Sequence, residues 1–469
     1  MRLKLDPGAA VLLDALHAAG YRAYAVGGCV RDSLMGLVPH DWDLCTSALP
    51  QQVVELFGAE RCIPTGLQHG TVTVRQNGGL YEITTFRTDG TYTDGRHPDE
   101  VHFVPDVRED LARRDFTINA MACNEKEGLI DPFGGQSDLH NGIVRAVGVP
   151  RKRFEEDALR ILRLYRFAAR FGFAIDPATA QAAQALCEHL DCVSSERIEE
   201  ELSKLLAAPK PGAYLNEDVM AVILPELTPE ALAQAKPVVD ACPADSGLPV
   251  RLAALLVSLG ETSTRKALKR LRCSNALIDE TAVLVREEER GVRQELSPQT
   301  RNTGCGTQHL FRCRSHLAGR CPNSSSLFPP QAAVTAVAGH SIARPSGRPS
   351  EEAPGTPDQP SLTINVRRLL GRYDLKTVQR LAALGTALQP EHAADFEALS
   401  KLAERLEADG VCCRISQLAV NGRDLMAAGI PAGAGLRKVL EELLEGVIRE
   451  EYPNEKQTLL AQAKKFSAS

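Results

Sequence analysis

No stretch of the 469-residue chain approaches the roughly 18 uninterrupted apolar residues that a membrane-spanning helix needs. The longest candidate, Gly8 to Ala19, is broken by Asp14 and His17. The expectation is a soluble protein without a signal peptide. A disulfide framework is missing as well: the 13 cysteines are odd in number, scattered, and set in apolar contexts such as Cys29, Cys45 and Cys123. That usage points to a reducing cytoplasm. Nor is there an excess of positive charge. With 54 Lys+Arg against 60 Asp+Glu the formal charge is −6, so no global field recruits a polyanion and any such partner must be met locally.

What is present is ordinary for a globular chain, with 43% hydrophobic and 24% charged residues, and the length suggests about three domains. One segment is locally basic. From Arg145 to Arg170, eight Lys and Arg stand against Glu155, Glu156 and Asp157.

The first 145 residues mix short β-branched runs with helical patterns. Tyr24 to Val26, Thr71 to Arg75, Tyr81 to Phe86 and Ile143 to Val147 read as strands bounded by glycine. From Pro150 onward the strand signal fades. Phe154 to Phe171, Pro177 to His189 and Ser195 to Leu206 carry apolar residues at helical spacing, with Ser194 or Ser195 as an N-cap. Residues 296–350 contain no Asp, Glu or Lys, six arginines and many Ser, Pro and Gly, so they have little to bury and are expected to be disordered. Helical periodicity resumes at Leu362, which suggests a helical domain interrupted by an insert. Its Cys305, Cys313 and Cys321 do not have zinc-knuckle spacing.

Three clusters carry chemistry. Tyr24-Ala25-Val26-Gly27-Gly28-Cys29-Val30-Arg31-Asp32 runs from a strand through a double glycine into a helix start. Such a turn lets backbone N–H groups approach a phosphate, and Arg31 can pair with its oxygens. On its own it could equally be a tight turn. Ten residues on, Asp41-Trp42-Asp43 would present two carboxylates on one side of a strand, about 7 Å apart. Paired carboxylates beside a phosphate turn suit a divalent cation, and Mg2+ above all, in phosphoryl or nucleotidyl transfer. Glu82 is a candidate third carboxylate. Finally, Asp157 and Arg160 lie three apart on an expected helix, where they could form an ion pair or read a base edge.

Gly-Gly-Cys-Val-Arg-Asp, Asp41-Trp42-Asp43, Arg113-Arg114-Asp115-Phe116-Thr117-Ile118-Asn119-Ala120, Asp131-Pro132-Phe133-Gly134-Gly135 and Glu156-Asp157-Ala158-Leu159-Arg160 together resemble the bacterial class II tRNA nucleotidyltransferases, the CCA-adding enzymes. The resemblance covers residues 20–206. It implies an α+β architecture: a polymerase-β-like mixed-sheet head (residues 1–148), then a helical neck (149–208), a helical body (209–296), the insert (297–361), and a body and tail that bind tRNA (362–469). It also implies that Asp41 and Asp43 bind Mg2+. Gly28 and Arg31 would contact the triphosphate, Arg114 and Asp115 the sugar, and Asp157 and Arg160 the base, with Arg163 and Arg166 also touching nucleotide.

Base-edge chemistry supports that last assignment. A carboxylate accepts from an exocyclic amine and a guanidinium donates to a ring acceptor, so one Asp/Arg pair matches both cytosine and adenine. Uracil and guanine reverse the pattern. The polar stretch Arg87 to Pro98 is similar to the family's loop for switching from C to A, and Ala158 stands where poly(A) polymerases usually carry proline. Arg197, Glu201 and Lys204 would buttress the neck, and Ile415 to Asp424 with Pro453-Asn454 resemble the family's tail. No His-Asp metal-hydrolase pair stands in Leu248 to Leu259. The implied substrates are CTP, ATP and tRNA, with no protein partner and no membrane. An enzyme adding only A or only CC, a poly(A) polymerase, or a non-catalytic RNA-binding relative remain the alternatives.

Overall fold

A computed structural model describes residues 4–90, 100–291 and 359–467. The expected insert lies largely outside these, as does the central part of the loop from Arg87 to Pro98.

Among the described residues the head carries nine strands up to Ile130: β1 (Ala23–Val26), β2 (Asp43–Thr46), β3 (Cys62–Gly66), β4 (Thr71–Gln76), β5 (Gly79–Thr85), β6 (Arg87–Asp89), β7 (Val101–Phe103), β8 (Ala122–Asn124) and β9 (Gly128–Ile130). Seven of them form one mixed sheet in the order β3-β4-β5-β2-β1-β8-β9, in which only β2 and β5 run parallel. The strands β6 and β7 make a separate two-stranded ribbon.

Alternation along the strands feeds two cores, one on each face. Ala23, Ala25 and Leu44 pack with Leu12, Leu13 and Leu16 of α1 (Pro7–Ala18), Val30 of α2 (Gly28–Leu34) and Val53 of α3 (Pro50–Phe57). Their neighbours Tyr24, Val26 and Cys45 face the other way, onto Phe86 and onto Val107 and Leu111 of α4 (Val107–Ala112). With both faces covered, β1 is built of apolar side chains and Tyr24, whose hydroxyl donates to Glu127 at 2.7 Å. Asp6 starts α1 by accepting from the amides of Gly8 (2.8 Å) and Ala9 (3.2 Å).

Past α5 (Gly135–Asn141) and β10 (Ile143–Val144), the neck comprises α6 (Pro150–Glu156), α7 (Leu159–Phe171), β11 (Ala174–Ile175), α8 (Pro177–Ala185) and α9 (Ser195–Leu206). Two expectations change here. The strand at Ile143 is only two residues long and pairs in parallel with β11, a strand inside the region expected to be purely helical. The helix expected from Phe154 to Phe171 is broken: Asp157 is extended (φ −150°, ψ 104°) and separates α6 from α7.

The body follows as α10 (Glu217–Ile223), α11 (Pro229–Ala241), α12 (Leu248–Leu256), α13 (Gly260–Arg270) and α14 (Asn275–Glu289). It continues with α15 (Gln359–Arg372), α16 (Leu375–Leu388) and α17 (Ala393–Ala408), so helical structure resumes three residues before Leu362. One continuous core runs from Phe116 in the head through the neck to Cys413. Helices on both sides of residues 292–358 share it: buried Glu287 on α14 accepts from the Tyr373 hydroxyl at 2.7 Å, and Arg380 on α16 pairs with Glu280 at 3.0 Å. A separate small core around Leu425, Leu443 and Leu459 holds the tail helices α18 (Gly422–Ala427), α19 (Ala434–Ile448) and α20 (Lys456–Ser467). No helix of the described residues is long and apolar enough to cross a membrane.

Candidate active site between head and neck

The chain leaves β1 through Gly27, whose φ of 80° and ψ of −127° suit glycine alone. A Cβ there would also stand 2.9 Å from the Arg114 guanidinium, which would have to shift. The turn opens into a cavity of about 400 Å³ between head and neck. Six arginines (Arg31, Arg113, Arg114, Arg160, Arg163 and Arg197) and three aspartates (Asp43, Asp115 and Asp157) line it, together with Gly27, Gly28, Asn119 and Phe167. The positive excess suits a polyphosphate.

Asp43 opens β2 and stands in parallel register with Glu82 on β5. Loss of solvent, then the neighbouring Glu82 and Asp41, raise its carboxyl above the ordinary value, while Arg114 pulls it back. Such mutual repulsion among oxygen donors is what a divalent cation relieves, so Asp41 and Asp43 have the donor chemistry for one whose shell water and substrate oxygens complete. Asp41 itself precedes the strand rather than lying in it, and Asp41 and Glu82 sit on an exposed face outside the cavity lining. Among the described residues no group of three or more His, Cys, Asp or Glu is close enough to hold a metal by itself.

Arg31, only 4% exposed, donates to Asp32 (2.8 Å) and Asn119 (2.5 Å) and lies over the rings of Phe167 and Phe171 at 5.2 and 5.0 Å. Arg114 donates to Asp110 at 3.3 Å, and its buried Nε has no hydrogen-bond partner among the described residues. Asp115 already accepts four hydrogen bonds, from the Phe116 amide (2.8 Å), Asn119 (3.0 Å) and the Arg163 fork (3.0 and 2.6 Å). Its first role in this structure is thus to hold Arg163.

Burial works against the Asp115 charge, but Arg163 and Asn119 outweigh it and hold the carboxyl far below the usual carboxylate range. A depressed folded value means stability that is complete above the unfolded value of about 3.9 and is lost as pH falls through the folded one. Urea unfolding at pH 7 and at pH 3 should therefore show a smaller acid-induced loss in Asp115→Asn than in wild type. Each removed proton accounts for up to about 1.4 kcal/mol per pH unit in that window. Equal losses in the two proteins would count against the pairing.

The expectation that Asp157 and Arg160 share a helix face is corrected. The break after α6 turns Asp157 toward α9, where Arg197 grips it with both nitrogens (3.2 and 2.8 Å), and Asp157 also accepts the Leu159 amide at 3.1 Å. Arg160 instead donates to Glu156 (2.8 Å) and to the carbonyls of Arg153 and Arg113 (3.2 and 3.3 Å). No intrahelical ion pair joins the two. Both still line the cavity, and Arg160 keeps its Nε and one Nη2 hydrogen for a ligand.

Arg166 is not brought to the cavity lining. It packs on the Phe167 ring at 3.9 Å and pairs with Glu201 at 2.5 Å, while the same Glu201 also takes Arg163 at 3.3 Å. Glu201 and Arg197 thus do buttress the neck, but Arg197 does so from inside the cavity. Asn119 and Phe167 were not singled out from the sequence. Asn119 sits within the Arg113 to Ala120 run, and Phe167, four residues after Arg163, reads as ordinary core spacing.

A mixed sheet with carboxylates opening one central strand, a Gly-Gly turn beside it and a basic helical neck across the cavity places the chain among the polymerase-β-like nucleotidyltransferases. Comparison with known proteins narrows this. Residues 23–145 match the poly A polymerase head domain, residues 172–231 the "Probable RNA and SrmB- binding site of polymerase A", and residues 368–463 the second tRNA nucleotidyltransferase domain. The CCA-adding enzyme of Lactiplantibacillus plantarum is 48% identical over 205 residues, which cover 44% of this chain and 50% of that one. That of Lactobacillus delbrueckii subsp. bulgaricus is 48% identical over 218 residues, 46% and 54% of the two chains. The chain thus spans about half the length of the curated relatives it matches. The crystal structure of the Bacillus stearothermophilus CCA-adding enzyme in complex with CTP superposes with a TM-score of 0.71 at 27% identity, over 98% of both chains. At 20% identity and a TM-score of 0.63, the Thermotoga maritima CCA-adding enzyme complexed with tRNA shares the fold, over 98% of this chain and 96% of that one. These matches make the chain similar in its head, neck and tail to the class II tRNA nucleotidyltransferases, the CCA-adding enzymes.

Proposed function

We propose that the protein adds C, C and A to the 3′ end of tRNA from CTP and ATP, releasing pyrophosphate, without a nucleic-acid template. The observation that carries this is a single cavity joining Asp43 and the Gly27-Gly28 turn at one end to Asp157 and Arg160 at the other. This shared lining supports phosphate chemistry and base choice acting on one bound nucleotide.

In this reading the Gly27-Gly28 turn and Arg31 bind the triphosphate, and Arg114 and Asp115 face the sugar from the cavity lining. Asp157 accepts the exocyclic amine of cytosine or adenine while Arg160 donates to the adjacent ring nitrogen. The tRNA 3′-hydroxyl oxygen forms a bond to the α-phosphorus as the bond to the β-phosphate oxygen breaks. Pyrophosphate departs, and the hydroxyl proton leaves over the exposed carboxylate face of Asp41, Asp43 and Glu82. Asp41 and Asp43 would hold Mg2+, which when bound acidifies the hydroxyl and neutralises charge on the phosphates. The tRNA is read through the shape and phosphates of its A-form stem by body and tail. We place the reaction in the cytoplasm, where the ten described cysteines, all free, would stay reduced.

The test is a tRNA transcript ending before CCA, incubated with CTP, ATP, both or neither, and sequenced at its 3′ end. Addition of the full CCA is expected when both are supplied. A product ending in A alone, in CC alone, or in an oligo(A) tail would replace this reading with a partial enzyme or a poly(A) polymerase.

A further inference from the structure

Asp110, on α4, is 1% exposed and belongs neither to the carboxylate face nor to the cavity lining. Its two oxygens nevertheless join two parts of the head. On one side Oδ2 accepts Arg114 Nη2 at 3.3 Å, the one side-chain partner that Arg114 has among the described residues. On the other, Oδ1 accepts Arg113 Nε and Nη2 (3.1 and 2.8 Å) and the backbone amide of Arg87 at 3.4 Å. Arg113 completes the bracket by donating to the Arg87 carbonyl (3.1 Å) and to Asp89 (3.5 Å).

Arg87 to Asp89 is β6, the first strand of the ribbon whose partner β7 pairs with it from Arg87↔Phe103 to Asp89↔Val101. Both sides of the β6 start are thereby clamped to the carboxylate that aims Arg114. Burial opposes the Asp110 charge, but Arg113 and Arg114 hold its carboxyl below the ordinary value, so it stays ionised between them.

We propose that Asp110 is a positioning residue that couples the β6–β7 ribbon to Arg114, so that binding of a nucleoside triphosphate in the cavity and the placement of the ribbon are one linked event. The proposal rests on the nucleotide reading of the cavity. A ligand drawing on Arg114 pulls on Asp110, and Asp110 passes that pull to Arg113 and the Arg87 backbone through its other oxygen. The linkage is reciprocal: displacement of the ribbon re-aims Arg114.

The full-length protein tests this by equilibrium binding of CTP together with amide hydrogen exchange in Arg87–Asp89 and Val101–Phe103. In wild type CTP is expected to slow exchange in both strands. Asp110→Asn keeps the shape but loses the charge and part of the acceptor capacity. It should raise the CTP dissociation constant about tenfold and abolish the CTP-dependent slowing, an effect that a role in packing alone would not produce. Arg113→Lys, which keeps the charge and leaves the Asp110–Arg114 pair intact, should abolish the slowing while weakening CTP only about twofold to threefold. It decides the question if the Asp110 variant does not fold. CTP binding by Asp110→Asn within about twofold of wild type, or CTP-dependent slowing that survives in Arg113→Lys, would overturn the coupling. So would a wild-type ribbon indifferent to bound CTP, with the nucleotide reading then intact. Failure of wild type to bind CTP at all would overturn both.

Discussion

Asp43→Ala is expected to abolish incorporation of C and of A together, lowering turnover on the order of a thousandfold, because a bound cation and its carboxylates supply several kcal/mol to phosphoryl transfer. Asp41→Ala should do the same. The structure adds a second, less obvious expectation. Asp43 opens β2 on an exposed face, lies against Glu82 in parallel register, and has its carboxyl raised by partial loss of solvent and by Glu82 and Asp41, so in the absence of a cation its charge adds nothing to the fold. A group raised in the folded state destabilises at pH values above its unfolded value, and removing it removes that penalty. Asp43→Ala should therefore melt, in chelator, at or above the wild-type temperature while being inactive, and its binding of tRNA in a filter assay should stay within about twofold. Retention of more than a few per cent of turnover would show that the carboxylates are not the catalytic pair. A sharp drop in melting temperature would show that Asp43 supports the fold.

Legibility in the sequence followed periodicity. Strands β1, β4 and β5 were readable because each is at least four residues long and contains β-branched or aromatic side chains, whereas β6 to β9 have three residues each, too few to show any alternation. The Gly27-Gly28 turn and the paired aspartates were readable because local chemistry dictates them. The break at Asp157 was not. Apolar spacing of three and four runs unbroken from Phe154 to Phe171, with no glycine or proline to stop a helix there, and the pull on Asp157 comes from Arg197, 40 residues away on α9. The position of Arg166 escaped for the related reason that a basic stripe on a helix does not reveal which arginine a distant Glu201 will draw inward. Asp110 carried no motif at all, since its meaning lies in joining Arg87, Arg113 and Arg114, which spacing alone cannot show.

Asp157→Ala should damage base choice more than chemistry. The carboxylate sits where α6 ends, fixed by the Leu159 amide and by both nitrogens of Arg197, and it lines the cavity, where in the proposed reading it accepts an exocyclic amine. Without it Arg160 still donates, and Arg197 loses its partner and becomes a second donor on the same wall. A wall of donors favours the carbonyl edge of uracil or guanine over the amino edge of cytosine or adenine. Since one well-formed side-chain pair on a base edge discriminates by about 1–3 kcal/mol, the ratio of UTP to CTP incorporation should rise by about 5- to 150-fold. Turnover with CTP should fall less than the selectivity, because Asp43 and the Gly27-Gly28 turn are untouched. Arg197→Met should shift the ratio in the same direction but by less, since the acceptor remains and only its aim is lost. An unchanged UTP to CTP ratio in Asp157→Ala, measured on a transcript awaiting its first C, would refute base reading by this residue and leave it as the partner that holds α9 against the neck.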